Sequence, residues 1–93
     1  MDKILCVYKG DLVLCDAIGG DGGADYDVDY VNADIIAKDV VKLNSNDLSN
    51  YGILMDGDNF RLLEYSWDGF QPSELEGLDA LAKIMKFSEF FVE

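Results

Sequence analysis

Histidine is absent from the 93-residue chain, which has only two cysteines, one proline and seven basic residues. Without histidine, the usual general base is missing, and so is the usual partner of a serine or cysteine nucleophile. Two cysteines are too few for a disulfide scaffold, and no CxxC pair or histidine is present to bind zinc. We therefore expect a protein that binds rather than catalyses, with no metal and no organic cofactor.

The charge of the chain is one-sided, because nineteen acidic residues against seven basic ones give a net charge of −12. DNA, RNA and an anionic membrane would all repel such a chain. A basic protein, in particular one that binds nucleic acid, is its natural electrostatic complement. Since 49% of the residues are hydrophobic, the chain should fold despite its charge, and we expect a single domain over 1–93.

The amino-terminal stretch, MDKILCVYKGDLVLC, is an apolar run broken by Lys9 and Asp11. It is too short to span a membrane and lacks the small-residue cleavage site of a secretory signal. A cytoplasmic location is therefore the expected default.

Two β-hairpins are predicted from turn sequences. Gly10 and Asp11 suit a two-residue loop between strands at 3–9 and 12–18, both of whose faces are apolar. This register places Cys6 directly opposite Cys15, and in a reducing cytoplasm we expect packed thiols there. The second hairpin, with strands at 51–55 and 60–67, surrounds the turn sequence at 56–59.

The segment ADYDVDYV at 24–31 alternates aspartates with apolar residues. This alternation predicts a strand that buries Tyr26, Val28 and Tyr30 and exposes three carboxylates, those of Asp25, Asp27 and Asp29. The aspartates also have the first, third and fifth positions of an EF-hand loop. Tyr30 and Ile36, however, occupy the positions at which that loop requires glycine and glutamate, so no calcium site is predicted.

Two helices are predicted. Apolar residues recur at helical spacing after Asn32, although the β-branched residues there also allow a strand over 33–42. Nearer the carboxyl end, Ser73 to Glu76 match a capping box, which makes this the better supported helix. One of its faces is expected to pack on the core: Leu75, Leu78, Leu81, Ala82 and Met85. The chain is thus predicted to have an α+β fold, with a mostly antiparallel sheet of four or five strands, formed by the two hairpins and the acidic strand, and two helices.

Seven acidic residues and no basic one lie between Gly10 and Ala37. The predicted partner-binding residues come from this segment: Asp21, Asp25, Asp27, Asp29 and Asp34. One interpretation is that they imitate nucleic-acid phosphates and occupy a basic groove on a nucleic-acid-handling protein, which they inhibit. The other is that a solvated acidic face keeps an exposed strand from pairing with another chain.

In size and acidity the chain resembles the loose class of small phage and mobile-element inhibitors that includes DNA mimics and anti-CRISPR proteins. The resemblance rests on composition and implies an anti-defence inhibitor. Immunity proteins that neutralise nuclease toxins share this profile and are an alternative. A structural or assembly module is a third, in which exposed aromatics instead of core aromatics would form the binding face: Tyr8, Tyr51, Tyr65, Trp67 and Phe70. The sequence leaves the oligomeric state open.

Overall fold

Six antiparallel strands close into a barrel in the computed structural model, which describes residues 2–20, 25–40, 48–66 and 69–91. The strands are β1 (Lys3–Tyr8), β2 (Asp11–Gly19), β3 (Tyr26–Ala37), β4 (Tyr51–Asp56), β5 (Asn59–Ser66) and β6 (Gly69–Pro72). Around the barrel they follow the order β1, β2, β3, β6, β5, β4, and β4 pairs again with β1. The helix α1 (Gly77–Ser88) comes last and continues into a 3₁₀ turn, Glu89–Phe91.

The prediction of an antiparallel sheet with a carboxyl-terminal helix is confirmed. The sheet has six strands instead of four or five, and the described residues contain one α-helix instead of two. The second hairpin forms as predicted, with β4 and β5 joined through Gly57 and Asp58. Trp67, assigned to its second strand, lies outside the described residues.

The first hairpin turns one residue earlier than predicted. Lys9 and Gly10 form its loop, with φ angles of 52° and 85°, and both values have the positive sign that a type I′ turn requires. Tyr8 therefore pairs with Asp11. In this sequence either Lys9-Gly10 or Gly10-Asp11 could form a two-residue loop. The loop is Lys9-Gly10 because the pairing of β1 with β2 continues as far as Tyr8 and Asp11.

This register changes the relation between the two cysteines. Cys6 lies opposite Val13, and Cys15 lies opposite Ile4, so the prediction that the cysteines face each other directly is wrong. They are instead diagonal neighbours on the inner face of the hairpin. Both are wholly buried free thiols, as expected.

The prediction of a helix over 33–42 is wrong as far as the structure describes that range, because β3 continues to Ala37; residues 41–42 lie outside the description. The strand is interrupted by a wide bulge. Leu14 pairs with Asp34 and Asp16 pairs with Asp29, so residues 30–33 of β3 stand opposite residue 15 of β2 alone. Such a bulge bends a strand and increases its twist, which helps a short sheet to close.

Two apolar clusters hold these elements together. In the part of the chain that the structure describes, these side chains are buried in the barrel interior: Ile4, Cys6, Val13, Cys15, Tyr26, Val28, Leu54, Leu63 and Phe70. The outer cluster joins the opposite faces of β1, β2 and β4 to the helix: Leu5, Leu12, Val40, Leu48, Ile53 and Phe87. The first hairpin is thus apolar on both faces, as predicted, because the barrel covers one face and α1 contributes to the cover of the other.

The start of α1 differs from the predicted capping box. The helix begins at Gly77, and its N-cap residue Glu76 forms no side-chain hydrogen bond to the first turn. Ser73 lies too far upstream to cap it: its Oγ accepts a hydrogen bond of 3.1 Å from the N–H of Leu75 and forms a local turn instead.

The helix face that contacts the barrel is also not the predicted one. Phe87 is fully buried and Ile84 packs beside it in the outer cluster. The predicted core face is largely exposed, with relative exposures of 84% for Leu78, 50% for Leu81 and 59% for Met85. α1 therefore has two apolar stripes, and only one of them packs on the barrel.

Candidate functional site

The predicted acidic row is only partly regular in the structure. Asp27 and Asp29 occupy alternate positions of β3, with Asp27 exposed and Asp29 partly buried. Asp25 directly precedes the strand and has a positive φ of 59°. Asp34 is exposed on the far side of the bulge. Asp21 lies outside the described residues, so four of the five candidate residues can be placed.

Asp25 connects the start of β3 to β6. Its Oδ1 accepts a hydrogen bond of 2.9 Å from Nε2 of Gln71. The left-handed backbone at Asp25 is one that aspartate adopts more readily than most residues. The carboxylate is therefore held at the mouth of the gap between β3 and β6, where it is exposed.

Asp29 stabilises the bulge as well as contributing charge. Its Oδ1 accepts a hydrogen bond of 3.1 Å from the N–H of Val31, and its Oδ2 accepts one of 2.8 Å from Nδ2 of Asn32. The side-chain hydrogen bond from Asn32 lowers the pKa of Asp29, and the backbone donors act in the same direction. Asp29 thus carries a full negative charge at neutral pH.

A second carboxylate lies across the strand pair from Asp29. Asp16 of β2 is its direct neighbour in the ladder, an arrangement in which two like charges repel. Lys3 of β1 relieves part of this repulsion, because its Nζ lies 3.0 Å from Oδ1 of Asp16. The hydrogen bond to Asp16 raises the pKa of Lys3. This ion pair is solvent-exposed, so it adds little to stability.

An acidic pocket opens where β3 separates from β6. Among the described residues the two strands are joined at a single pair, Tyr26 opposite Phe70. The gap beside this pair encloses a cavity of about 360 Å³. We call this cavity the acidic pocket, and it is lined by Asp25, Asp27, Val28, Tyr30, Tyr65, Gly69 and Phe70. None of the described residues that line it is basic.

Aromatic rings form much of the wall of the acidic pocket. Tyr65 packs edge-on against Phe70 with ring centroids 5.2 Å apart, and it remains 52% exposed. Tyr30 stacks on Tyr8, with centroids 3.9 Å apart and planes 13° from parallel. Burial raises the pKa of the Tyr30 hydroxyl, so this group stays neutral. The rings of Tyr30 and Tyr65 are thus held in place by aromatic neighbours.

Carboxylates beside aromatic faces provide an environment suited to a cation. An ammonium or guanidinium group gains from the ring quadrupole and forms charge-assisted hydrogen bonds with the carboxylates. Sequence reasoning identified Asp25 and Asp27 but not their association with Tyr65, which is 38 positions further along the chain than Asp27. No local pattern signals that association, since it depends on the pairing of β3 with β6 and of β6 with β5.

Within 2–20, 25–40, 48–66 and 69–91, no group of three or more Cys, Asp or Glu side chains is arranged to hold a metal ion. In the same ranges, no helix is long and apolar enough to cross a membrane. Comparison with known proteins finds no family model, no curated protein sequence and no solved structure that matches the chain.

Proposed function

We propose that this chain is a non-enzymatic binding protein whose acidic pocket receives lysine or arginine side chains of a basic, nucleic-acid-handling protein, which it thereby inhibits. The observation that carries the proposal is the association of Asp25 and Asp27 with Tyr30 and Tyr65 around one open cavity. The net charge of −12 and the absence of histidine favour binding to a basic protein over catalysis.

Carboxylates outside the pocket extend the surface that such a partner would meet. Asp27 and Asp29 occupy the same face of β3 about 6.6 Å apart, since alternate strand residues have that spacing. Asp16 lies beside Asp29 on the next strand. A patch of this kind can compete for lysines and arginines that otherwise contact phosphates, which is the chemical basis of nucleic-acid mimicry.

A titration with an oligo-arginine peptide tests the pocket before the partner is known. The isotope-labelled protein is followed by NMR, and the largest shifts are expected at Asp25, Asp27, Tyr30 and Tyr65. Asp25→Asn/Asp27→Asn should weaken binding by about tenfold, because both carboxylates contact the guanidinium in the pocket. The matched control is Asp56→Asn/Asp58→Asn in the β4–β5 turn, which removes the same charge from an exposed site.

The control variant should lose no more than about twofold in affinity, since its charges act only at long range. Equal losses in the two double variants would mean that the peptide responds to net charge and that the pocket has no role. If the Asp25/Asp27 variant aggregates and its affinity is unchanged, the carboxylates protect the strand edge instead.

Capture from a lysate of the native host, treated with nuclease and washed at low and high salt, identifies the partner. We expect a nucleic-acid-handling protein that is released by high salt and displaced by added DNA or RNA. A nuclease toxin encoded beside this protein would identify an immunity protein, whereas a nuclease of a defence system would identify an anti-defence inhibitor. A partner retained at high salt would favour the assembly module, because salt barely weakens apolar contacts.

A further inference from the structure

The two aspartates of the acidic pocket each use one carboxylate oxygen within the protein. Oδ1 of Asp27 accepts a hydrogen bond of 2.8 Å from the N–H of Val28, and Oδ1 of Asp25 accepts one of 2.9 Å from Nε2 of Gln71. In the described part of the chain, no donor contacts Oδ2 of either aspartate. Both residues are exposed, so these two oxygens are accessible to a ligand.

The lysines of the first hairpin are engaged away from the acidic pocket. Lys3 is paired with Asp16. The ammonium of Lys9 lies 5.2 Å from the ring centroid of Tyr8, which is not among the described residues that line the pocket. Since none of those lining residues is basic, the charge of the two pocket carboxylates is available to an external cation.

Tyr65 gives the acidic pocket an exposed aromatic ring. In the ladder between β5 and β6 it lies directly opposite Phe70, which is only 3% exposed, and this buried neighbour holds the Tyr65 ring through an edge contact. Tyr65 itself is 52% exposed. A planar group can cover a ring that is fixed on one side and open on the other, and covering it removes apolar surface from water.

We propose that the acidic pocket selects arginine over lysine and that Tyr65 is the residue that determines this selectivity. The inference rests on the proposed function, because it specifies which cation the pocket receives. A guanidinium is planar and carries its N–H donors in a fixed fork, so its edges can reach two separate carboxylates while its face stacks on a ring. An ammonium is a compact, strongly hydrated charge without a flat face, so it gains less from Tyr65.

The size of the acidic pocket suits the end of one side chain. Its volume of about 360 Å³ lies near the lower end of the roughly 300–1,000 Å³ found for small-molecule sites. A folded segment of a partner cannot enter such a cavity, whereas the head group of one extended side chain can. We therefore expect a single arginine of the partner in the pocket, while Asp16 and Asp29, paired on the neighbouring strands, meet the charges around it.

Selection of arginine narrows the partner surface. Arginine is the side chain that most often contacts guanine through two hydrogen bonds, and it binds phosphates in the same forked manner. A pocket that sequesters such an arginine blocks a direct contact with nucleic acid. We therefore expect the bound surface to be an arginine-dependent nucleic-acid contact, instead of a lysine-rich surface that attracts nucleic acid through long-range charge alone.

Paired titrations with oligo-arginine and oligo-lysine peptides of equal length test the selectivity at constant charge. Followed by NMR of the labelled protein, the arginine peptide should bind at least about fivefold more tightly, since guanidinium adds ring stacking and forked hydrogen bonds. Tyr65→Leu should reduce this ratio to about twofold, whereas Tyr65→Phe retains the ring and should preserve the ratio. Phe60→Leu is the matched control, because it removes a 60% exposed ring on the same strand that does not line the acidic pocket.

A peptide of asymmetric dimethylarginine tests the hydrogen bonds separately from the ring. Dimethylation keeps the positive charge but strips one nitrogen of its donors, so the affinity should fall by about fivefold because the fork loses one of its edges. An unchanged affinity would overturn the contact with two carboxylates. Tighter binding of a trimethyllysine peptide than of the arginine peptide would also overturn the proposal, because it would identify a cage for alkylated ammonium groups.

The outcomes of these titrations distinguish the arginine selectivity from the proposed function. Absence of shifts at Asp25, Asp27 and Tyr65 with either peptide would overturn both. Equal affinity for the two peptides, with shifts at these residues, would overturn the selectivity and leave the proposed function standing. A ratio that Tyr65→Leu leaves unchanged, in a variant whose NMR spectrum shows the parent fold, would overturn the inference too, because the selecting residue would lie elsewhere.

Discussion

Gly69 on β6 approaches the carbonyl oxygen of Tyr26 on β3 so closely that a Cβ built on the glycine would lie 2.6 Å from that oxygen. Its φ of 112° is also one that other residues rarely adopt. The approach occurs beside the pairing of Tyr26 on β3 with Phe70 on β6, at the wall of the acidic pocket. Gly69 thus connects closure of the barrel with formation of the site.

Gly69→Ala should therefore destabilise the fold and disturb the pocket. We expect a loss of about 2–4 kcal/mol in the free energy of unfolding, from backbone strain together with the displaced Tyr26 carbonyl. Urea denaturation measures it. Gly57→Ala is the matched control, because Gly57 has a φ of 62° but nothing within 4 Å of the added methyl, and its cost should be about 1 kcal/mol. Equal losses at both glycines would show that the contact with Tyr26 does not matter.

The effect of the hydrogen bond from Asn32 on Asp29 should be measurable when the Asp29 carboxyl is titrated with acid. Asn32→Ala removes the donor that contributes most to the lowered pKa of Asp29, so that pKa should rise towards its ordinary value. Because the folded-state pKa lies below the unfolded one, the stabilisation is present above the unfolded pKa of about 3.9 and is lost as the pH falls through the folded value. Carboxyl NMR shifts measure the change. Asn59→Ala, on a different hairpin, should leave Asp29 unaffected.

The buried cysteines should make the fold sensitive to alkali. Burial is the largest cause that raises the pKa of Cys6 and Cys15. Unfolded thiols ionise near pH 8.5, so above that pH the unfolded state loses protons that the folded state keeps, and stability falls as pH rises. Urea denaturation between about pH 7 and 9.5 should show this decline.

The double variant Cys6→Ala/Cys15→Ala provides the control for that decline. Its unfolding free energy should be lower at neutral pH, because two packed sulfur atoms are lost, but it should fall less between pH 7 and 9.5. An unchanged pH slope in this variant would assign the alkaline sensitivity to other groups.

The hairpins could be predicted from sequence because their turn residues act locally. The error over 33–42 has a specific cause in the irregular pairing of β3 with β2. Tyr30 and Ala33 both pack against the barrel interior, and Ile36 and Ala37 pack against the outer cluster. A second irregularity in this pairing, between Leu12 and Val13, leaves Ile36 as an extra residue between Ile35 and Ala37. Because Ile36 and Ala37 both pack on the outer cluster and Ala33 packs on the inner one, the apolar residues recur at three and four positions, which resembles a helix.

The orientation of α1 was unpredictable for a different reason. Leu78, Leu81 and Met85 form one apolar stripe, while Ile84 and Phe87 belong to another. Periodicity identifies both stripes, but only the position of the barrel determines which is buried. The acidic pocket likewise depends on long-range pairing, so the sequence indicated its carboxylates without their aromatic neighbours.

The proposed partner complex should weaken as salt rises, because salt screens the attraction between opposite charges. If an acidic surface meets a basic channel, the association rate should fall steeply as the Debye length shrinks from ~30 Å at 0.01 M to ~8 Å at 0.15 M. The dissociation rate should change less, and added nucleic acid should compete for the partner. Stopped-flow or surface-binding kinetics with the captured partner measure all three effects.

The two double variants then distinguish long-range electrostatic attraction of the partner from direct contact in the acidic pocket. Asp56→Asn/Asp58→Asn and Asp25→Asn/Asp27→Asn each remove two of the nineteen acidic charges, so both should lower the association rate to a similar extent. Only Asp25 and Asp27 line the acidic pocket, so only Asp25→Asn/Asp27→Asn should raise the dissociation rate of the complex. An association rate that is flat across the salt range, without competition from nucleic acid, would rule out phosphate imitation. Contact through exposed aromatics such as Tyr65 would then be the better explanation, because apolar burial is barely weakened by salt.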